Sequence, residues 1–191
     1  MTPFAAPDVR FGASRRDRWR YLIFIGPITV TSVLTILAAV PPGGSFMLAL
    51  VAAPLWLWSL CAWVAVLAIG ELRRDLILVL APPFIGALAL VLAYSDIPMR
   101  TAFLVSESAL VEYADSLPEG EKWTGAKERV GLFTIDGAQR RQGVTHLFTT
   151  GGGILEKCGF AYVSDGNLKD LDASTVNHIT GDWYATCTDF D

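Results

Sequence analysis

Three long apolar runs in the first half of the chain constrain its fold more than any other feature. They cover residues 21–40, 46–70 and 76–94, hold 20, 25 and 19 residues, and contain no Asp, Glu, Lys or Arg. A helix needs about 20 mainly apolar residues to cross the hydrocarbon core of a bilayer. The alternative is a set of buried helices in a soluble protein, but such helices are usually shorter and carry a polar face. The runs therefore predict three transmembrane helices.

The arginines of this half predict the orientation of the helices. Five of them precede the first run and two separate the second run from the third, whereas the loop at residues 41–45 has no charge. Basic residues in short loops near membrane ends stay in the cytoplasm, so the pattern predicts a cytoplasmic N-terminus and an exported C-terminal half. A cleaved signal peptide is the alternative for the first run. Its apolar stretch is longer than the usual 7–15 residues, and Ala38-Ala39-Val40 is a weak cleavage signal.

Composition along the chain predicts three regions. Residues 1–18 have little periodicity and several charges, which is typical of a disordered cytoplasmic tail. Residues 19–95 form the transmembrane region, and residues 96–191 form an extracytoplasmic domain. That last region has 8 basic against 15 acidic residues from position 95 onwards, hence a charge of −7. Such a domain repels phosphate backbones, so nucleic acid is not an expected partner.

The exported half has the pattern of an α+β domain. Phe103, Leu110, Tyr113 and Leu117 recur at helical spacing and predict one helix over residues 99–117. Strands are predicted over residues 129–135, 143–150, 160–163 and 182–187, with turns at residues 136–137, 151–153 and 165–167. Short runs divided by glycine-rich turns favour an antiparallel sheet.

Two cysteines in this half are candidates for a disulfide. Cys158 and Cys187 are separated by 29 positions, and export would place both in an oxidising compartment where disulfides persist. A bridge across such a loop is worth a few kcal/mol, while a pair of buried free thiols is the alternative. His146 and His178 have no closely spaced ligand partner, so no metal site and no cofactor are predicted. The serines lack the motif of a nucleophile elbow.

The densest group of unusual residues lies near the C-terminus and resembles a known family. The matching residues are Gly159, Ala161, Tyr162, Asp165, Gly166, His178, Gly181, Trp183 and Tyr184. They resemble a motif of small bacterial, mainly actinobacterial, multi-pass membrane proteins with a C-terminal exported domain. The chain departs from that pattern at residues 167–169, where the family has proline-rich residues. Because the family has no established activity, the resemblance implies a fold and an envelope location but no mechanism.

Two interpretations of this C-terminal group remain open. In the first, the group is structural: the side chains of Trp183 and Tyr184 alternate across a strand, and Asp165-Gly166 forms a turn. Alternatively, Tyr162, His178, Trp183 and Tyr184 line a small ligand pocket, since aromatic walls with a few polar groups are typical of such sites.

The leading functional hypothesis is a binding or accessory protein of the cell envelope. Its expected partners are the lipid bilayer and another envelope membrane protein or a second copy of the chain. The alternative is a sensor or enzyme with a small-molecule site at the aromatic group. A transporter is less favoured because the spans lack ionisable residues.

Overall fold

The computed structural model describes residues 15–70, 75–120, 122–123, 127–141, 143–151, 156–164, 171 and 173–189. Its first three helices are α1 (Arg15–Ala38), α2 (Phe46–Ala68) and α3 (Leu76–Tyr94). Each is long and apolar enough to cross a membrane, which confirms the prediction of a multi-pass membrane protein. Because α1 begins at Arg15, residues 15–18 are helical, although the sequence predicted a disordered tail there. Residues 1–14 and the arginine pair at positions 73–74 lie outside the described residues.

Helix α1 is the centre of the membrane region, since α2 and α3 each pack mainly against it and touch each other much less. Polar side chains join the helices at several depths. Trp56 Nε1 on α2 donates to Thr35 Oγ1 on α1 at 3.0 Å, and Trp63 Nε1 donates to the carbonyl of Val79 on α3 at 3.0 Å. Because lipid offers no hydrogen-bonding partner, such bonds satisfy groups that would otherwise be costly to place in the hydrocarbon.

One antiparallel sheet and one helix form the described part of the C-terminal domain. Helix α4 (Ile97–Ser116) follows α3 after only two residues, with Pro98 in its first turn. The strands are β1 (Lys122–Trp123), β2 (Glu128–Val130), β3 (Phe133–Arg141), β4 (Val144–Thr149), β5 (Glu156–Val163), β6 (Thr175–Thr180) and β7 (Trp183–Asp189). Their order is β1-β3-β4-β5-β7-β6, and β2 also pairs with β3. We call α4 together with these seven strands the sheet domain. Its helix and antiparallel sheet confirm the predicted α+β class.

Several parts of the sheet differ from the prediction. The strand predicted over residues 129–135 is broken by a turn at residues 131–132, which separates β2 from β3. Asp136 and Gly137 do not form a turn, because β3 continues through them and the register with β4 shifts between Ile135 and Gly137. The Asp-Gly pair therefore makes a bulge inside a long strand. Strand β6 was not predicted, because it is an edge strand whose first four side chains are all exposed and show no alternation. The predicted turn at residues 165–167 lies outside the described residues.

Aromatic packing between α4 and one face of the sheet forms the core of this domain. Phe103 on α4 is fully buried, and its ring centroid lies 5.1 Å from that of Phe160 and 5.4 Å from that of Trp183. Nearby, Ser106 Oγ accepts a hydrogen bond from the backbone N–H of Leu132 at 3.0 Å. This contact fixes the turn between β2 and β3 against the helix.

Candidate functional site

Two of the four predicted ligand-binding residues belong to the hydrophobic core. Tyr162 and Trp183 are register partners on β5 and β7, and their ring centroids lie 5.1 Å apart. Both side chains lie on the face of the sheet that α4 covers, where Trp183 is 3% exposed. Their role in the structure is therefore to pack against the helix.

The other two residues lie on the opposite face of the sheet. Tyr184 packs against the small cluster of Val144, Ala161 and Val163. The His178 ring lies 5.1 Å from the Tyr184 ring in an edge-on arrangement, and its Nε2 is 2.9 Å from the carbonyl oxygen of Gly181. The structure thus separates the four residues into two back-to-back pairs. Ligand binding by these residues stays a prediction.

Both histidines of the chain lie on this outer face. The sequence did not predict that they share a face of the sheet. The cross-strand register places Gln139, His146, Ala161, Tyr184 and His178 in one row across β3, β4, β5, β7 and β6. His146 and His178 are thus three strand spacings apart, or about 14 Å at about 4.8 Å per strand. That separation is too large for the two imidazoles to share one metal ion.

Cys158 and Cys187 form a disulfide, which confirms the predicted bridge. They are register partners on β5 and β7, with Cα atoms 4.0 Å apart. Glu156 lies close to both sulfur atoms, but bridged sulfurs are not thiolates and so do not offer the ligands that a zinc site requires. The bridge belongs to the architecture of the sheet.

The loop between α1 and α2 packs directly on this disulfide. Gly43 has a φ of +73°, and a Cβ at that position would overlap Cys158 Sγ and lie 2.9 Å from Cys158 Cβ and 3.3 Å from Cys187 Sγ. Pro42 is fully buried, and Val40 packs against the core of the sheet domain. The loop and the sheet domain therefore lie at the same end of the three helices. We call this contact, between residues 40–45 and the disulfide end of the sheet, the junction.

A cleft of about 440 Å³ opens beside the junction. We call it the junction cleft. Its apolar lining residues are Leu37, Val40, Pro41, Leu48, Ala102, Leu132 and Phe133, and its hydroxyl-bearing lining residues are Ser45, Thr134, Thr149 and Thr150. Thr149 Oγ1 donates to the carbonyl of Cys158 at 3.1 Å, whereas the buried Thr150 Oγ1 has no hydrogen-bond partner among the described residues. No sequence motif pointed to this cleft, because its walls come from four distant parts of the chain.

A second cavity lies within the membrane region, between α2 and α3. It has a volume of about 310 Å³, with Ile28 of α1 among its lining residues. The rest of its lining includes Trp56, Trp63, Pro83 and Gly86, and it is almost entirely apolar. We call it the membrane groove. It follows from the central position of α1, because α2 and α3 pack on that helix and leave a gap between themselves.

Comparison with known proteins gives no relative for this chain. No family model, no curated protein and no solved structure matches it. The resemblance to actinobacterial membrane proteins therefore stays a prediction.

Proposed function

We propose that this protein is a membrane-anchored accessory protein of the cell envelope that holds a small binding domain outside the cytoplasm. The observation that carries the proposal is the double attachment of the sheet domain to the membrane helices. Two residues join α3 to α4, and the α1–α2 loop packs against the disulfide through Gly43. A domain fixed at two points presents its surfaces at one height and angle, which suits a docking platform better than a domain on a free linker.

The membrane groove supports a partner within the bilayer. In the most apolar window of the three spans, only 22%, 17% and 22% of the residues are buried. Most of the helical surface is therefore available to lipid or to helices of another protein. The groove has an alanine, Ala87, and a glycine, Gly86, on its α3 side, and small residues allow helices in membranes to approach closely.

The alternative function, a sensor or enzyme with a site at the aromatic group, has less support. Trp183 and Tyr162 are used in packing against α4, and His178 and Tyr184 lie on the other side of the sheet. A single ligand cannot touch both pairs through the sheet. A binding role for the domain surface needs no such convergence.

The expected orientation has a direct test. Asn177 is exposed on the edge strand β6, so a cysteine introduced there in a Cys61→Ala background gives one accessible thiol beside the bridged pair. A membrane-impermeant maleimide should label Asn177→Cys in intact cells. Labelling only after lysis would show that the sheet domain is cytoplasmic and would overturn the proposal of an exported platform.

The proposed partner is tested by crosslinking in native membranes followed by affinity purification at native expression. A stoichiometric protein, or a second copy of the chain, should be recovered with the wild type. Ala87→Trp fills the groove and should abolish recovery, whereas Ala53→Trp, a matched change at an exposed alanine of α2 outside the groove, should not. Recovery of a clean monomer from the wild type contradicts the accessory function.

A further inference from the structure

We propose that the junction cleft binds the ester region of a membrane lipid from the leaflet next to the sheet domain. The cleft lies where α1 ends and α2 begins. Because each of these helices is about as long as the bilayer is thick, their ends, and therefore the cleft, lie at the membrane surface. This proposal concerns lipid and does not depend on the protein partner proposed above.

The apolar walls of the cleft continue the lipid-facing surface of the spans. Leu37, in the last turn of α1, is 48% exposed, and Leu48 lies in the first turn of α2. On the opposite wall, Leu132 of the sheet domain is 51% exposed. An acyl chain leaving the cleft between these leucines would pass from protein to bilayer without crossing a polar surface. Continuity with the bilayer is the reason to assign the cleft to a lipid rather than to a soluble ligand.

The polar part of the cleft fits a neutral hydrogen-bond acceptor. Every described polar lining residue is a serine or a threonine, and no described lining residue carries a charge. Hydroxyl groups donate to carbonyl oxygens, whereas the strong phosphate contacts in proteins come from the charged side chains of Arg and Lys. Ester carbonyls lie between the headgroup and the acyl chains of a lipid. Their depth and chemistry agree with a site that has hydroxyls at one side and leucines at the other.

Thr150 is the lining residue that points most directly to a bound ligand. Within the part of the chain that the structure describes, its Oγ1 is buried without a hydrogen-bond partner, and its backbone N–H already donates to the carbonyl of Thr134 at 2.8 Å. Buried polar groups are nearly always paired, so an unpaired hydroxyl in the wall of a cleft is a candidate contact for a bound ligand. A lipid carbonyl in the cleft would accept the hydroxyl proton after a rotation about χ1 of Thr150.

The proposal is tested with purified full-length protein in detergent, using the shift in thermal unfolding temperature on titration of a diester phosphatidylglycerol. The same titration with its diether analogue, which lacks the carbonyls, is the ligand control. Thr150→Val keeps the shape of the side chain and removes the hydroxyl, and Thr180→Val on β6 is the matched protein control. We expect Thr150→Val to bind the diester lipid roughly 2- to 12-fold more weakly, the range for one hydrogen bond. Its binding of the diether lipid should equal that of the wild type.

A second variant keeps the test informative if Thr150→Val unfolds. Leu132→Trp enlarges a side chain at an exposed turn and closes the mouth of the cleft, so it should weaken both lipids. Three results would overturn the proposal: equal affinity of the wild type for the diester and diether lipids, unchanged diester binding by Thr150→Val, or unchanged binding of both lipids by Leu132→Trp. Either of the first two results would exclude the bond between Thr150 and the ester, and the third would place the lipid at the general surface of the helices and not in the cleft.

Discussion

Substitution of Gly43 by alanine should loosen the attachment of the sheet domain to the membrane helices. The residue has a φ of +73°, where an L-amino acid costs about 1–2 kcal/mol. Its new Cβ would also overlap Cys158 Sγ and lie 2.9 Å from Cys158 Cβ. Overpacking of this kind costs about 1–3 kcal/mol. Together with the backbone strain, it should lower the free energy of unfolding of Gly43→Ala by about 2–5 kcal/mol if the loop stays in contact with the disulfide. Moving the loop away from the disulfide would relieve the overlap but would give up the burial of Pro42.

The neighbouring glycine separates the two causes. Gly44 has a φ of +74°, but a Cβ there would meet nothing closer than the carbonyl oxygen of Ala38 at 3.5 Å. Gly44→Ala therefore carries the same backbone strain without the contact with the disulfide. It should lose only about 1–2 kcal/mol, and the difference between the two variants measures the junction.

Two assays in detergent give the result. Chemical unfolding followed by tryptophan fluorescence measures the free energy of each variant, and a gel shift with a large maleimide measures how fast a phosphine reduces the Cys158–Cys187 bridge. Cys158 is 1% exposed in the native protein, so a displaced loop should raise the reduction rate in Gly43→Ala and leave Gly44→Ala near the wild type. Equal stability losses together with equal reduction rates in the two variants would show that the loop does not pack on the bridge.

Three further predictions concern the sheet domain. Phe103→Ala removes a fully buried ring between two aromatic partners and should cost about 3–5 kcal/mol in the free energy of unfolding; a loss under about 1 kcal/mol would contradict the packing of Phe103 in the core. Ser106→Ala leaves the N–H of Leu132 without its acceptor and should cost about 1–3 kcal/mol, with unfolding in urea as the measurement. Burial, followed by the nearby Glu128 carboxylate, raises the pKa of Tyr113 above its ordinary value of 10.0. The neutral phenol is thus favoured in the native state, so its contribution to stability is complete below pH 10 and is lost as the pH rises through the native pKa. Ultraviolet titration should show a lower pKa for Tyr113 in Glu128→Gln, and an unchanged value would exclude the carboxylate as a cause.

The membrane helices were predictable because their signal is local. Twenty consecutive apolar residues leave few alternatives, and the structure begins α2 and α3 at the residues where the second and third runs begin. The aromatic group shows the opposite case. Trp183 and Tyr184 are neighbours in sequence, and strand geometry sends neighbours to opposite faces. A pocket containing both would require their side chains to meet on one face, but the register of β5, β6 and β7 places them on opposite faces of the sheet.

The disulfide was predictable only as a possibility, because redox compartment and spacing do not determine whether two strands are adjacent. The direct pairing of Cys158 with Cys187 depends on β7 lying between β5 and β6, and β6 itself carried no periodic signal. The junction cleft was not predictable at all. Thr150 and Leu37 are more than a hundred residues apart, and only the fold brings them to one surface.

The α1–α2 loop links the orientation of the chain to the integrity of its sheet domain. Its lack of charge favours placement outside the cytoplasm. The structure provides a second reason for the lack of charge, because a charged side chain without a partner could not be buried beside Pro42 and the disulfide. A bridge persists in an oxidising compartment and is reduced in the cytoplasm. In an inverted chain, Gly43 would face two thiols whose sulfur atoms are free to move apart, and the packing of the loop would weaken. The proposed orientation is therefore the one in which the bridge and the loop stabilise each other, and a loss of either should disrupt the junction cleft, because residues 40, 41 and 45 of the loop line it.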